Sequence, residues 1–179
     1  RQRQMCIRDS GGPMLPGNYK GESLACGTDS FKLWTRYLAG ELTENDLREA
    51  EGCLYGSVGA CPIMGTANSM QCATESLGLA LPGSASALAV SAEKMRFAEE
   101  SGRKIMELIE RDIKPTDIVT REAVENCITV LMSSGGSTNL IIHLTAIARR
   151  AGIGLKLEDF QKISERTRVL VDVCLLYTS

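Results

Sequence analysis

The chain is predicted to turn sharply at a cysteine, in the stretch Gly59-Ala-Cys-Pro-Ile-Met-Gly-Thr-Ala-Asn-Ser-Met70. Glycine and proline around Cys61 predict a tight turn, and the pattern that follows predicts a helix over residues 66–77. A helix N-terminus carries free N–H groups and partial positive charge, which lower the pKa of a nearby thiol. The stretch therefore suits a metal or cluster ligand. On spacing alone, a small buried cysteine that fills the turn is the commoner case, because one cysteine specifies no metal.

Composition excludes several classes of protein. The chain has 179 residues, enough for one domain, with a formal net charge of −2 and 4% aromatic residues. Its 20 Lys and Arg residues form no basic run, which argues against a nucleic-acid surface. No apolar run is long enough to cross a bilayer. The seven cysteines are odd in number and contain no Cys-x-x-Cys pair, so free thiols in a reducing cytoplasm are expected.

Helical patterning continues on both sides of the cysteine turn and predicts one compact, helix-rich piece of an α/β domain. Residues 11–27, rich in glycine and proline, predict an ordered loop. Strands are expected over residues 117–119 and 169–173. The expected N-caps are Asp29 or Ser30, Thr43 with Asp46 in a capping box, Ser91 and Thr120. The expected left-handed or terminating glycines are Gly78 and Gly152.

A second glycine turn, Gly135-Gly-Ser-Thr-Asn139, precedes a helix predicted over residues 140–150. Its N–H groups and hydroxyls could bind an anion. It has neither the lysine of a phosphate-binding P-loop nor the spacing of a dinucleotide fingerprint. The alternative is a helix N-cap at Ser137, with glycines that allow close packing.

Other reactive side chains have plainer interpretations. His143, the single histidine, either faces the second glycine turn or is a hydrogen-bonded core residue. Glu75 is expected to be a surface carboxylate. Cys72 and Cys127 fall inside predicted helices and are expected to be buried small residues. Two cysteines that flank loops stay open as ligands: Cys26 and Cys53.

Several motifs follow one another in a fixed order. They are Gly11-Gly-Pro-Met14, Gly59-Ala-Cys61, Met64-Gly-Thr-Ala-Asn-Ser-Met70, Leu77-Gly-Leu-Ala-Leu-Pro-Gly83, and Gly135-Gly-Ser-Thr-Asn139 with His143-Leu144 and Ala146-Ile-Ala148. Their combination, over about residues 11–173, closely resembles the dihydroxy-acid dehydratase / phosphogluconate dehydratase family. The resemblance implies an α/β fold, namely the helix-rich portion of a parallel-sheet N-terminal domain of a larger enzyme.

The resemblance also implies a chemistry. Members of this family are iron–sulfur hydro-lyases that convert 2,3-dihydroxy carboxylic acids into 2-keto acids, usually as dimers or tetramers. Cys61 matches the last of three cysteines that hold a 2Fe–2S or 4Fe–4S cluster. Substrate contacts are expected from Ser137, Thr138 and Asn139. The other cluster ligands, the Mg²⁺ ligands and the serine base would lie outside this chain, which is expected to be inactive alone and unable to hold a stable cluster.

The substrate is less clearly indicated than the reaction. Branched-chain dehydratases usually have Cys-Gly-Gly-Met where this chain has Cys61-Pro-Ile-Met64, and the Met-Gly-Thr-Ala run resembles the sugar-acid enzymes. The Gly-Gly-Ser-Thr-Asn motif with the following His-Leu resembles the branched-chain enzyme, which is the first choice. The alternatives are an aldonate or phosphogluconate dehydratase, a non-enzymatic carboxylate-binding module that uses both glycine turns, and a structural piece with an inert Cys61.

The two ends differ from the middle of the chain. Residues 1–9 show no helical or strand period, and residues 174–179 break off without a cap or turn. Both ends resemble translated adapter sequence. Residues 10–173 are therefore expected to be a dehydratase fragment that continues natively beyond both ends.

Overall fold

The structure, a computed structural model, describes residues 11–171. In chain order its elements are β1 (Gly17–Tyr19), β2 (Glu22–Leu24), α1 (Cys26–Leu38), α2 (Glu44–Gly52), α3 (Thr66–Ser76), α4 (Ala92–Glu110), α5 (Pro115–Ile118), α6 (Arg121–Ser134), α7 (Asn139–Arg150) and α8 (Leu157–Arg166). The prediction of a helix-rich chain is confirmed. None of these helices has the length and apolar character that a membrane span requires.

The sheet in this part of the chain is a small antiparallel hairpin, with Gly17 paired to Leu24 across β1 and β2. Its turn residues, Lys20 and Gly21, both have positive φ (51° and 89°), as a type I′ hairpin turn requires. The prediction of one long loop over residues 11–27 is therefore wrong at the hairpin. The predicted parallel sheet is not found within residues 11–171, where parallel pairing is limited to one bridge, between Pro13 and Ala60.

Two hydrophobic clusters form the core. The first cluster lies between the hairpin, α1 and α2, and consists of Tyr19, Leu24, Leu33, Leu47, Ala50 and Leu54. The second cluster is larger and is built mainly by α3, α6, α7 and α8. Its buried members are Ala73, Leu77, Val119, Val124, Cys127, Ile128, Leu131, Leu140, Leu144, Ala148, Phe160 and Ile163. Along the chain, the cysteine turn lies between the two clusters.

Three predicted N-caps are confirmed. The Thr43 hydroxyl accepts the Asp46 N–H (3.1 Å), and the Asp46 carboxylate accepts the Thr43 N–H (3.1 Å), which completes a capping box. The hydroxyls of Ser91 and Thr120 each accept a backbone N–H three residues on. The predicted left-handed glycines are confirmed at the ends of α3 and α7: Gly78 (φ 80°) and Gly152 (φ 76°).

The start of α1 differs from the prediction. The sequence places the N-cap at Asp29 or Ser30, whereas the helix begins at Cys26 with Ala25 as N-cap. The carboxylate of Asp29 accepts the Ala25 N–H at 2.6 Å from within the first turn. Asp29 is therefore not the N-cap itself: it lies in the first turn of the helix and accepts the N–H of the N-cap residue. An acidic residue at this position also complements the helix dipole.

Both predicted strands are wrong within the described residues. Residues 117–119 overlap the short helix α5, which Pro115 starts and which the Asp117 carboxylate stabilises by accepting the Lys114 N–H (2.8 Å). Residues 169–171 belong to no strand. The rest of that second prediction, residues 172–173, lies outside the described part of the chain.

Candidate functional site

The Cys61 turn (residues 59–65) is held by backbone hydrogen bonds to the segment that contains the first glycine motif. Ala60 donates its N–H to the carbonyl of Gly12 (2.8 Å), and Met14 donates its N–H to the carbonyl of Ala60 (2.8 Å). Gly59 has φ 140°, and a Cβ there would lie 2.8 Å from the Met14 nitrogen and 2.9 Å from the Gly12 oxygen. Only glycine permits this approach, which places the half-buried Cys61 directly after the pinned backbone.

Asn68 closes the turn from the side of α3. Its Nδ2 donates to the carbonyl of Cys61 at 2.7 Å and to the carbonyl of Ile63 at 2.8 Å. The side chain of Asn68 is buried, with 8% of the residue exposed. Its Oδ1 accepts a hydrogen bond from Nε2 of Gln71, one turn further along the helix, at 3.3 Å. The conformation of the Cys61 turn therefore depends on a buried amide in the following helix.

The second glycine turn (residues 135–139) packs against the same helix. Gly135 ends α6 with φ 60°. A Cβ at Gly136 would lie 2.7 Å from the Leu131 side chain and 3.2 Å from the Ser69 hydroxyl. The N–H of Ser137, which is buried, donates to the Ser69 hydroxyl at 2.9 Å. The glycines thus allow the close packing that the sequence offered as an alternative to anion binding.

Side chains join the starts of α3 and α7. Asn139 donates from Nδ2 to the Thr66 hydroxyl at 2.7 Å, and the hydroxyls of Thr66 and Ser137 are 3.5 Å apart. Two of the three predicted substrate residues, Ser137 and Asn139, are therefore within hydrogen-bonding distance of the helix that follows the Cys61 turn. The third, Thr138, is exposed. Two helix N-termini therefore lie side by side, and each carries partial positive charge from its free N–H groups.

The N-cap of α7 lies one residue later than predicted. Thr138 occupies the N-cap position, and its side chain makes no capping hydrogen bond. The Ser137 hydroxyl instead accepts the Asn139 N–H at 3.3 Å, and its carbonyl accepts the Leu140 N–H at 2.9 Å. Several N–H groups of the second glycine turn are therefore already used within the protein. A ligand here would contact mainly side-chain groups.

The remaining sequence candidates do not join this site. His143 is exposed on α7, so its interpretation as a core residue is wrong. Glu75 does more than the predicted surface carboxylate: its two carboxylate oxygens accept the N–H groups of Gly83 and Ala85, both at 2.8 Å. It thereby fixes the loop after α3.

The other cysteines have structural surroundings. Burial raises the pKa of both the Cys72 and the Cys127 thiol. Cys127 is fully buried in the second cluster, as predicted, whereas Cys72 is only partly buried, so the prediction of a buried residue is wrong there. Cys53 packs against the first cluster. The side chain of Cys26 lies outside the described part. Within residues 11–171, no group of three or more His, Cys, Asp or Glu side chains is placed to hold a metal ion.

Sequence reasoning missed the residues that connect these turns. In the sequence, Thr66, Asn68 and Ser69 stand out only as members of the Met64–Met70 motif, and Gln71 belongs to none of the motifs. A local signal existed for Asn68, because asparagine near a helix N-terminus commonly bonds to nearby backbone groups. No comparable signal existed for Ser69 and Thr66, since their partners lie 68 to 73 residues away in sequence.

Two of the motifs, the Cys61 turn and the second glycine turn, meet at the start of α3, and the order of all the motifs is that of an N-terminal dehydratase domain. The chain belongs to the dihydroxy-acid/6-phosphogluconate dehydratase family, whose N-terminal domain matches residues 4–174.

Individual relatives agree with this assignment. A dihydroxy-acid dehydratase of Sulfurisphaera tokodaii is 48% identical over 163 residues, which are 91% of this chain and 29% of the relative. That of Thermodesulfovibrio yellowstonii is 47% identical over 162 residues, 90% of this chain and 30% of the relative. That of Pyrococcus abyssi is 46% identical over 164 residues, 92% and 30% respectively. The chain thus spans less than a third of the length of the curated relatives it matches.

Proposed function

We propose that this chain is the N-terminal part of an iron–sulfur hydro-lyase that converts a 2,3-dihydroxy carboxylic acid into a 2-keto acid. Family membership and the names of the relatives support the reaction class. The structural observation that carries the proposal is the hydrogen bond from Asn139 to Thr66 (2.7 Å). It joins the residues expected to contact substrate to the helix that follows the expected cluster ligand, which supports a single site for both groups.

Cys61 fits the part of a cluster ligand. It lies half-buried in a turn fixed by backbone hydrogen bonds and by Asn68, four residues before the N-cap of α3, and a helix N-terminus close to a thiol favours the thiolate. A 2Fe–2S or 4Fe–4S cluster, when bound, supplies a Lewis acid for the departing hydroxyl. The other cluster ligands and the Mg²⁺ ligands would come from parts of the full-length enzyme other than residues 11–171.

The second glycine turn fits the part of a substrate contact. Thr138 is exposed at the N-terminus of α7, where a carboxylate is stabilised by the helix dipole. Ser137 and Asn139 are held by Ser69 and Thr66, so their contribution is to keep Thr138 in place and to offer polar atoms at its side. In the reaction, the C2 proton and the C3 hydroxyl leave as water, and the resulting enol becomes the 2-keto acid. The serine base that takes the proton is expected outside this chain.

A branched-chain dihydroxy acid is the proposed substrate, as in branched-chain amino-acid biosynthesis. The relatives are named dihydroxy-acid dehydratases, which supports this choice over an aldonate or phosphogluconate. No contact among residues 11–171 favours the sugar-acid alternative, and none favours a non-enzymatic carboxylate-binding module.

The test uses the full-length gene product, purified without oxygen and reconstituted with iron and sulfide. We expect it to form a 2-keto acid from 2,3-dihydroxy-3-methylbutanoate faster than from gluconate. Cys61→Ser should abolish both the cluster absorbance and turnover. Cys53→Ser is the matched control, because Cys53 packs against the first cluster and should leave both unchanged. Equal cluster content in Cys61→Ser and the unmodified enzyme would contradict the proposal.

Several further expectations belong to the same proposal. The 179-residue chain alone is expected to be inactive. The complete enzyme is expected to be a cytoplasmic homo-oligomer, a dimer or tetramer, whose N-terminal domain extends the Pro13–Ala60 bridge into a parallel sheet. Residues 1–9 and 174–179 are expected to differ from the native gene, which sequencing of the source DNA would check.

A further inference from the structure

The side-chain amide of Asn68 makes hydrogen bonds through both its nitrogen and its oxygen, and these fix its orientation. Nδ2 carries two protons, and two carbonyls of the Cys61 turn accept from it, at 2.7 and 2.8 Å. Oδ1 accepts from Gln71 Nε2 at 3.3 Å, so a flipped amide would place oxygen against two carbonyls and nitrogen against a donor. The network therefore permits only the amide orientation that binds the turn.

Loss of the two hydrogen bonds from Asn68 would leave buried polar groups without a partner, which costs free energy. Asn68 is buried, and the two carbonyls that it binds belong to a turn rather than to a helix or sheet, where a backbone partner would be available. Water would have to enter the turn to replace the amide. The adjoining Gln71 Oε1 is also buried, so the hydrogen bonds of Asn68 lie among groups that are shielded from solvent.

We propose that Asn68 is the positioning residue for the Cys61 ligand. The two hydrogen bonds from Nδ2 hold the Cys61 and Ile63 carbonyls on the α3 side. They therefore fix the backbone conformation that carries the Cys61 thiol towards a metal. This inference rests on the proposed function, because the thiolate needs a fixed position only if it is a ligand. It assigns to Asn68 a role that is distinct from general stability of the fold.

The test measures local opening of the turn through the reactivity of the Cys61 thiol. The unmodified 179-residue chain and two variants, Asn68→Ala and the near-isosteric Asn68→Asp, are alkylated with iodoacetamide under folding conditions, and each cysteine is quantified by peptide mass spectrometry. We expect Cys61 to react about 5- to 30-fold faster in both variants, the range that the loss of one or two hydrogen bonds gives to an opening equilibrium. Asn68→Asp keeps the size of the side chain but has no proton to donate when ionised.

Cys127 is the internal comparator, because it is fully buried and reacts only when the second cluster opens. Local loosening accelerates Cys61 alone, whereas global destabilisation accelerates both thiols. Ile128→Val is the matched control, since it weakens the second cluster in α6 without touching the turn. It should change the two thiols in parallel.

The proposal is overturned if Cys61 and Cys127 accelerate by the same factor in the Asn68 variants, or if Cys61 keeps its original rate. Its failure is separable from that of the proposed function. A full-length enzyme without iron-dependent turnover would refute the dehydratase assignment, whereas the labelling pattern would still show whether Asn68 holds the turn.

Discussion

Replacement of Gly59 by alanine should strongly lower the free energy of unfolding, because the new Cβ would collide with backbone atoms of Gly12 and Met14. The φ angle of 140° lies in a region that alanine rarely adopts, at a cost of about 1–3 kcal/mol. A Cβ 2.8 Å from the Met14 nitrogen and 2.9 Å from the Gly12 oxygen forces the pinned segment to move, which costs about 1–3 kcal/mol more. The expected loss is therefore about 2–6 kcal/mol of the free energy of unfolding.

Urea unfolding, followed by circular dichroism and by the fluorescence of Trp34, measures this loss. With a slope of about 2 kcal/mol per molar urea, the middle of the usual range, the midpoint should fall by about 1–3 M. Gly65→Ala is the matched control at the other end of the Cys61 turn, since a Cβ there meets nothing within 4 Å and φ is −83°. Its midpoint should stay within about 0.5 M, because reduced chain entropy offsets a weaker N-cap. Equal midpoints for Gly59→Ala and the unmodified chain would refute the described contact.

Three further changes test other parts of the structure. Ser69→Ala should lower the free energy of unfolding by about 1–3 kcal/mol in urea, because a buried N–H of the second glycine turn loses its acceptor; an unchanged midpoint would argue against that bond. Leu144→Ala should cost about 2–5 kcal/mol by thermal or urea unfolding, whereas Ile142→Ala, on the exposed side of the same helix, should cost under about 0.5 kcal/mol. Similar costs for the two would contradict the orientation of α7. Hydrogen bonds from the Lys20 ammonium and from Thr43 lower the pKa of Asp46, so its stabilising effect is present above about pH 4 and is lost as the pH falls below that value. Asp46→Asn should therefore show a smaller drop in urea midpoint between pH 6 and pH 3 than the unmodified chain, and an equal drop would contradict this.

Local features were predictable from sequence because their causes are local. The Thr43–Asp46 capping box and the left-handed glycine after α3 depend on residues within one turn, and both are found. The same local reasoning misplaced the start of α1, because an aspartate can stabilise a helix from its first turn as well as from the N-cap. It also predicted a strand over residues 117–119, where Pro115 starts a helix.

The candidate site was predictable in its parts but not in its assembly. Cys61 and the second glycine turn were recognisable by motif, and the resemblance to a dehydratase family supplied their expected roles. That Asn139 bonds to Thr66, and Ser137 to Ser69, follows from the packing of α3 against α6 and α7. No spacing rule encodes such a contact. The parallel sheet was expected from the family, but residues 11–171 contain only a single bridge of that kind.

Along the chain, the Cys61 turn lies between the two hydrophobic clusters, so the proposed binding of a cluster at Cys61 would be coupled to the folding of the segments on both sides. Its backbone bonds to residues 12–14 on one side, and Asn68 ties it to α3, which packs in the second cluster on the other. A ligand that binds only the folded turn stabilises the folded state by mass action, in proportion to the logarithm of its concentration over its dissociation constant. If Cys61 is a cluster ligand, as proposed, a shortage of iron would make this segment easier to cleave by proteases, and cofactor supply would then help to determine the lifetime of the protein.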